Sequence, residues 1–376
     1  MPDLYDAVAH GMRAYTGAAF RADVLGPRRV PLEPGTLVVI THRRETDVPI
    51  VAPALYFGTG GLANRGNRLH FAARDDMFLP GFFAGFPPSL PLRVRRALYP
   101  LGVARWLPVV NVFPIRSARV ARLGEVLAER PQAPLEELVT EAILARFLAR
   151  ASAVGTPAPA RAADVLRGEY ADLLWQPVSP GSGVREGLDR FWGGRAARAA
   201  ADFRTLVELV RARRTLLVFP EGRPSPDGEI GPIRPGIGAL VRRGKPVAVR
   251  PLALAYDPLG RGRTRVHLAL GEPVAPPAEA TEPALLGVLR STMPLTCGQV
   301  VATALAAGAE ADPPALERRL AEAVAAAEEE GRPVERDLAT EAGRRRRLAE
   351  ALAAAPAHAE AIPFLAREYA GGRQPP

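Results

Sequence analysis

Short apolar runs constrain the fold of this chain most strongly. Residues 36–40, 215–219 and 246–256 are rich in β-branched and aliphatic side chains. Apolar runs of this length are typical of strands that are covered on both faces. Helical patterns at 203–213 and 237–243 alternate with them. This alternation predicts an α/β fold with a mostly parallel central sheet flanked by helices. Further strands are predicted at residues 68–73, 109–113 and 265–270.

The same patterns predict three segments along the chain. Residues 1–29 are predicted to be a helical lead-in, and residues 30–280 the α/β domain. Within that domain, residues 117–200 depart from the strand–helix alternation and are predicted to be an insertion or a lid. Residues 135–148 inside it have the apolar spacing of one amphipathic helix. Residues 281–376 are rich in Ala, Glu and Arg, which predicts a small all-helical C-terminal region.

The charge balance narrows the choice of partner. The formal net charge is +9, and arginine carries most of the positive charge. Such an excess suits nucleic acid, an anionic lipid surface or an anionic substrate, and a solvated arginine-rich surface is the alternative. The sequence contains no nucleic-acid recognition motif, so no nucleic-acid partner is predicted.

The cysteine count and the lengths of the apolar runs bear on cellular location and on metal binding. Cys297 is the single cysteine and cannot form an internal disulfide, and no Cys/His cluster has the spacing of zinc ligands. The N-terminal residues include acidic side chains and lack the apolar stretch of a signal peptide. No uncharged run reaches the ~20 residues that span a bilayer. A cytoplasmic protein without a metal site is predicted.

A histidine and an aspartate follow the first predicted strand. His42 and Asp47 lie five positions apart, where α/β sheets place their ligands. A carboxylate bound to one imidazole nitrogen leaves the other nitrogen able to accept a proton. His70 and Asp75 have the same spacing, but His70 falls within a predicted strand, where a packed side chain is expected. We therefore predict His42 as a catalytic base and Asp47 as its partner.

Arginine follows two other predicted strands. The segment 219–223 reads Phe-Pro-Glu-Gly-Arg, and the segment 111–116 also ends in arginine. Gly222 lets the backbone approach a ligand closely, and Arg116 or Arg223 can hold a phosphate through two N–H groups. Two ordinary surface arginines are the alternative interpretation.

Taken together, these segments resemble the glycerolipid acyltransferase family, which includes 1-acylglycerol-3-phosphate and glycerol-3-phosphate acyltransferases. Four blocks carry the resemblance in the family's order, and they span roughly residues 30–275. The first is His-x4-Asp at 42–47, and the second is Phe-Pro-Ile-Arg at 113–116. The third is the segment 219–223, and the fourth is the apolar strand at 247–254 with an internal proline.

The resemblance implies transfer of a fatty acyl group from an acyl thioester to the hydroxyl of a lysophospholipid in phospholipid biosynthesis. The donor is acyl-CoA or acyl carrier protein, and neither a metal nor another cofactor is implied. The protein is expected to act peripherally on the inner face of the cell membrane. His42 takes the proton of the acceptor hydroxyl, and Asp47 orients His42. The resemblance assigns binding of the acceptor or its phosphate to Arg116, Glu221, Gly222 and Arg223.

This chain departs from the family pattern at both arginines. Each stands one position earlier than usual, so that Ser117 follows Arg116 and Pro224 follows Arg223. A shift of one residue at a strand end can turn a side chain the other way. The acceptor therefore stays open between a lysophospholipid, glycerol 3-phosphate and a non-phosphorylated lipid alcohol. A catalytically silent membrane-binding homologue is a further alternative, against which the intact His42, Asp47, Glu221 and Gly222 argue.

Residues 78–86 contain four phenylalanines. Such a run can line an acyl pocket or enter a bilayer beside Arg93, Arg95 and Arg96. An ordinary core segment is the alternative.

Overall fold

The computed structural model describes residues 3–25, 32–57, 65–79, 81, 91–102, 104–274, 281–308 and 312–372. The chain forms two compact units. The first consists of residues 1–71 and 207–376, and the second of residues 72–206. The second unit includes the predicted insertion but begins before it. The predicted domain boundaries at residues 30 and 280 stay predictions. Elements are numbered in chain order through the whole protein.

The first unit contains a sheet whose strands are hydrogen-bonded in the order β1-β10-β9-β2-β8-β3. Each neighbouring pair of these strands is parallel except β9 with β10. The predicted mostly parallel sheet is therefore confirmed. The strands are β1 Phe20–Leu25, β2 Leu37–Ile40, β3 His70–Arg74, β8 Leu216–Val218, β9 Val249–Asp257 and β10 Thr264–Leu270.

Strand β2 lies between β8 and β9, and all four of its residues are buried. Its apolar side chains on both faces are explained by this central position, since helices flank the sheet. The helices of the first unit are α1 Leu4–Ala19, α2 Asp47–Phe57, α10 Pro235–Gly244, α11 Glu282–Thr292, α12 Cys297–Ala306, α13 Pro313–Glu329, α14 Glu341–Ala354 and α15 Ile362–Gly371. Short 3₁₀ helices occur at Arg65–Asn67, Arg336–Ala339 and Ala355–Ala361.

The C-terminal region is helical, as predicted. Leu316, Leu320 and Val324 lie on one face of α13 and are buried in a core shared with α12, α14 and α15. None of the helices in the described part of the chain is both long and apolar enough to cross a membrane.

The lead-in differs from its prediction. Asp3 caps the N-terminus of α1, since its side chain accepts the N–H of Asp6 at 3.1 Å, but the helix ends at Ala19. The next six residues form β1, which pairs in parallel with β10. This pairing joins segments far apart in the sequence, so local periodicity carries no signal for it.

The second unit is mostly helical. Its strands are β4 Val112–Ile115, β5 Ala121–Arg122, β6 Pro177–Pro180 and β7 Gly183–Val184, of which the last three form a small sheet. Its helices are α3 Leu92–Leu98, α4 Leu123–Glu129, α5 Leu135–Leu138, α6 Glu141–Val154, α7 Ala162–Val165, α8 Ala171–Leu174 and α9 Asp189–Arg211. Short 3₁₀ helices occur at Asp75–Phe78, Pro108–Val110 and Gly168–Tyr170. The chain crosses between the units within β3 and again within α9.

The single helix predicted over 135–148 is two helices, α5 and α6. Val139 forms an isolated antiparallel bridge with Val184, and the N–H of Thr140 donates to the carbonyl of Gly183 at 3.3 Å. These two contacts hold the backbone extended between the helices, although the apolar spacing continues. The predicted phenylalanine segment lies largely outside the described residues.

Candidate active site

Three neighbouring parallel strands deliver side chains to one edge of the sheet. Their order is β8-β2-β9. His42 follows β2, Glu221 follows β8, and Tyr256 lies near the end of β9. The carboxyl ends of parallel strands meet at the same edge, which is where α/β sheets bind ligands.

The predicted pair forms a direct contact. Nδ1 of His42 lies 2.9 Å from Oδ2 of Asp47, and Asp47 is fully buried. Because a carboxylate only accepts hydrogen bonds, Nδ1 carries the hydrogen and Nε2 keeps its lone pair. No hydrogen bond from the described residues engages Nε2. His42 is 9% exposed and lies against the ring of Phe219, with 4.2 Å between the ring centroids. The residue is therefore oriented to accept a proton at Nε2.

Asp47 is itself fixed by three further donors. Its Oδ2 accepts the backbone N–H groups of Arg43 at 2.7 Å and Arg44 at 3.0 Å. Its Oδ1 accepts the hydroxyl of Tyr256 at 2.7 Å. Asp47 also stands in the first turn of α2, where the helix dipole favours negative charge. These contacts hold the carboxylate in place for His42.

Tyr256 is a member of the site that sequence reasoning did not identify. Burial raises the pKa of Tyr256 far above its ordinary value, and the charge of Asp47 raises it further. The hydroxyl therefore stays protonated and donates to Asp47. Thr46 Oγ1 lies 3.1 Å from the same hydroxyl. Sequence patterns predicted the strand but not which of its residues meets Asp47, since the contact joins distant segments.

Glu221 ties two loops together. Its Oε1 accepts the backbone N–H of His42, and its Oε2 accepts that of Gly231, both at 2.8 Å. Burial raises the pKa of the Glu221 carboxyl, while the two backbone N–H groups lower it. Gly222 follows with φ of 72°, a left-handed conformation that favours glycine, and its N–H donates to the carbonyl of Phe219 at 3.1 Å. The turn after β8 thus presents Glu221 to the backbone of His42.

A cavity of about 270 Å³ lies beside Glu221. Arg223 and Arg234 line it together with the acidic side chains of Asp227 and Glu229. Arg223 is exposed and forms no ion pair with the described residues. Arg234 donates from Nε to the carbonyl of Glu221 at 3.2 Å. The two arginines are the available contacts for an anion in this cavity, and Arg234 was not among the predicted site residues.

Arg116, the other predicted phosphate contact, belongs to the second unit. Its Nη1 donates to both carboxylate oxygens of Asp202, at 2.7 and 2.8 Å. A role for Arg116 in binding the acceptor stays a prediction.

His70 and Asp75, which form the second His-x4-Asp sequence, make other contacts. His70 is buried in β3, and its backbone N–H donates to the carbonyl of Thr215 at 2.9 Å. Burial lowers the pKa of the His70 ring. Oδ2 of Asp75 accepts a hydrogen bond from Arg195 at 2.6 Å. Of the two histidines, His42 is the one in contact with the aspartate of its own motif. Among the described residues there is no group of three or more metal-ligating side chains placed to hold an ion.

Arg43 connects the His42 loop to the C-terminal helices. Its guanidinium is buried and donates from Nη1 to the carbonyl of Gly228 at 2.8 Å. Its Nε lies 3.4 Å from Oε1 of Glu368 on α15. Gln299 donates to the other oxygen of Glu368 at 2.8 Å. The C-terminal region therefore helps to fix the residue that directly follows His42.

Glu368 makes the stability of the protein depend on pH. Burial raises the pKa of Glu368 to about 7, above its value in an unfolded chain. The native state thus holds this proton more tightly, and the associated stability is complete below about pH 4.3 and is lost as the pH rises through 7.

We expect the free energy of unfolding of the native chain to fall relative to that of Glu368→Gln, by at most about 1.4 kcal/mol per pH unit. Urea denaturation at several pH values measures this difference. Glu360→Gln changes an exposed glutamate nearby and should follow the native chain; parallel curves for Glu368→Gln would contradict the assignment.

Comparison with known proteins adds a distant likeness. No protein-family model and no curated protein matches the chain. The chain is similar in structure to the 1-acyl-sn-glycerophosphate (LPA) acyltransferase PlsC from Thermotoga maritima. The match covers 75% of this chain and 73% of the PlsC chain. Its sequence identity is 15% and its TM-score 0.37. A likeness of this degree assigns no function, and the side chains around His42 carry the proposal that follows.

Proposed function

We propose that this protein is an acyltransferase that moves a fatty acyl group from an acyl thioester to the hydroxyl of a lysophospholipid of the 1-acylglycerol 3-phosphate type, in phospholipid biosynthesis. The observation that supports it most is the oriented His42–Asp47 pair at the carboxyl edge of a parallel sheet, with Nδ1 to Oδ2 at 2.9 Å. A histidine held in this way is suited to deprotonate a hydroxyl.

The chemistry follows from the two ring nitrogens. Nε2 of His42 takes the proton of the acceptor hydroxyl as its oxygen bonds to the thioester carbonyl carbon. Asp47 stabilises the imidazolium through Nδ1. When the tetrahedral intermediate collapses, the carbon–sulfur bond breaks and the proton passes from Nε2 to the leaving thiolate. The products are an ester and a free thiol. Neither a metal nor another cofactor has a part in this proposal.

The donor in this proposal is acyl-CoA or acyl carrier protein, and the protein works peripherally on the inner, cytoplasmic face of the cell membrane. The product and the acceptor are both lipids, so a surface location gives access to them. The positive net charge suits an anionic leaflet, and no nucleic-acid partner is proposed.

The cavity beside Glu221 bears on the acceptor. Arg223 and Arg234 favour a phosphate there, as in lysophosphatidate or glycerol 3-phosphate. Asp227 and Glu229 line the same cavity and favour a neutral headgroup instead. A non-phosphorylated lipid alcohol is therefore the second candidate acceptor.

The substitution Arg223→Ala distinguishes a phosphorylated acceptor from a non-phosphorylated one. We expect it to raise KM for lysophosphatidate by about tenfold to a hundredfold, since hydrogen bonds to charged groups are worth about 1.5–3 kcal/mol. KM for monoacylglycerol, which lacks the phosphate, should not change. Arg318→Ala alters another exposed arginine and should leave both values unchanged. Equal effects of Arg223→Ala on both acceptors would remove the phosphate contact from the proposal.

Acyl transfer itself is tested with the purified protein, labelled acyl-CoA or acyl carrier protein, and a panel of hydroxyl acceptors. The panel holds lysophospholipids, glycerol 3-phosphate and monoacylglycerol, and products are identified by mass spectrometry. An acylated lysophospholipid is expected. Failure of every acceptor with both donors would favour the catalytically silent homologue.

A further inference from the structure

The second unit contains an unusually exposed stretch of chain. From Pro91 to Val110, none of the described residues is buried. Helix α3 and the 3₁₀ helix Pro108–Val110 both lie within it, and neither has a buried residue. Tyr99 is partly buried against the core of the second unit. The exposed apolar side chains of the stretch do not pack into that core and require another explanation.

Large apolar side chains are concentrated here. Nine are exposed among the described residues, and six of them fall between Val94 and Val120. Trp106 is 50% exposed and Val109 is 55% exposed. The N–H of Val109 donates to the carbonyl of Trp106 at 3.1 Å, so that one turn presents both side chains. We call residues 104–110 the tryptophan turn.

The charged side chains of this stretch and of the sequence around it all have one sign. Between Asp76 and Glu125 the sequence has no acidic residue and seven arginines, at positions 93, 95, 96, 105, 116, 119 and 122. Carboxylates from elsewhere in the second unit pair with four of these, among them Glu169 with Arg96. Arg93, Arg105 and Arg119 are exposed and form no ion pair with the described residues. The guanidinium of Arg105 lies over the ring of Trp106, 5.0 Å from the ring centroid.

We infer that the tryptophan turn is a docking surface for an anionic bilayer, with Trp106 and Val109 entering the interface and Arg105 meeting lipid phosphates. Tryptophan prefers the boundary between headgroups and acyl chains, and unpaired arginines beside it match the negative surface of such a membrane. Charge and exposed apolar area together favour lipid over nucleic acid, since base recognition does not need an aliphatic side chain beside the tryptophan. The inference rests on the membrane location in the proposed function and not on the chemistry of His42.

Vesicle sedimentation tests the docking surface. The native chain is mixed with vesicles of equal parts phosphatidylcholine and phosphatidylglycerol, and with pure phosphatidylcholine vesicles. We expect tighter binding to the anionic vesicles. Trp106→Ser with Val109→Ser should weaken binding about tenfold or more, and Arg105→Gln about fivefold on anionic vesicles alone. Leu148→Ser and Arg318→Gln are matched controls at other exposed positions and should bind as the native chain does.

The possible failures are distinguishable. If the native chain binds neither vesicle, or binds a duplex oligonucleotide in preference, the membrane location and the docking surface both fail. If the native chain binds but the Trp106 and Val109 double variant binds equally well, only the docking surface fails. Acyl transfer to a short-chain, water-soluble lysophosphatidate should be unchanged in that double variant, because His42 is not touched. Loss of this transfer would indicate a folding defect, which circular dichroism and urea denaturation would show, and the single variant Arg105→Gln then decides the inference.

Discussion

His42→Ala is expected to lose acyl transfer by a factor of about 10²–10⁴, the usual contribution of a positioned general base. The alanine keeps the backbone contacts of residue 42, which are the N–H to Glu221 and the carbonyl to the N–H of Ser225, each at 2.8 Å. Asp47 keeps its other three donors and is not left as an unpaired buried charge. The free energy of unfolding should therefore change by no more than about 1–2 kcal/mol. Initial rates with acyl-CoA and urea denaturation measure the two effects.

His70→Ala is the matched control, because His70 is also buried and also heads a His-x4-Asp sequence. It should lose stability by a packing defect and keep most of its turnover. Retained turnover in His42→Ala, or an equal loss of turnover in both variants, would remove His42 from the catalytic role.

Glu221→Gln is expected to have the next largest effect, and on both activity and stability. The carboxylate accepts backbone N–H groups of His42 and Gly231, whereas an amide offers only one oxygen. One of the two donors is then left without an acceptor, which costs about 1–3 kcal/mol of stability. Because the His42 backbone is one of them, the imidazole shifts, and a displacement of about 1 Å lowers the rate by about 10²-fold.

Glu322→Gln is the control for this change, since Glu322 is exposed and does not line the cavity. It should leave the rate and the urea midpoint nearly unchanged. A Glu221→Gln variant with native stability and a raised KM alone would mean that Glu221 binds the acceptor rather than holding the His42 loop.

Local sequence patterns predicted the elements that depend on local chemistry. The apolar runs at β2, β8 and β9 are strands because both of their faces are covered, and this leaves a composition signal. The strand β1 and the break between α5 and α6 were missed, because each depends on pairing with a distant segment. Periodicity alone does not record such partners.

The same distinction holds for the site. The His42–Asp47 spacing and the strand before it are local, and they identified the pair. Tyr256 and Arg43 were not identified, since Tyr256 acts through Asp47 and Arg43 through Gly228 and Glu368. The predicted role of Glu221 on the acceptor stays a prediction, while its contact with the His42 backbone could not be derived from a motif.

The most direct measurement follows both products of one reaction, with the native chain, acyl-CoA and lysophosphatidate. Free thiol is titrated while the lipid products are identified by mass spectrometry. The proposed chemistry predicts one diacylglycerol 3-phosphate for each thiol released, and no thiol release when the acceptor is omitted. Release of free fatty acid in place of the ester, or no reaction with any acceptor of the panel, would contradict it.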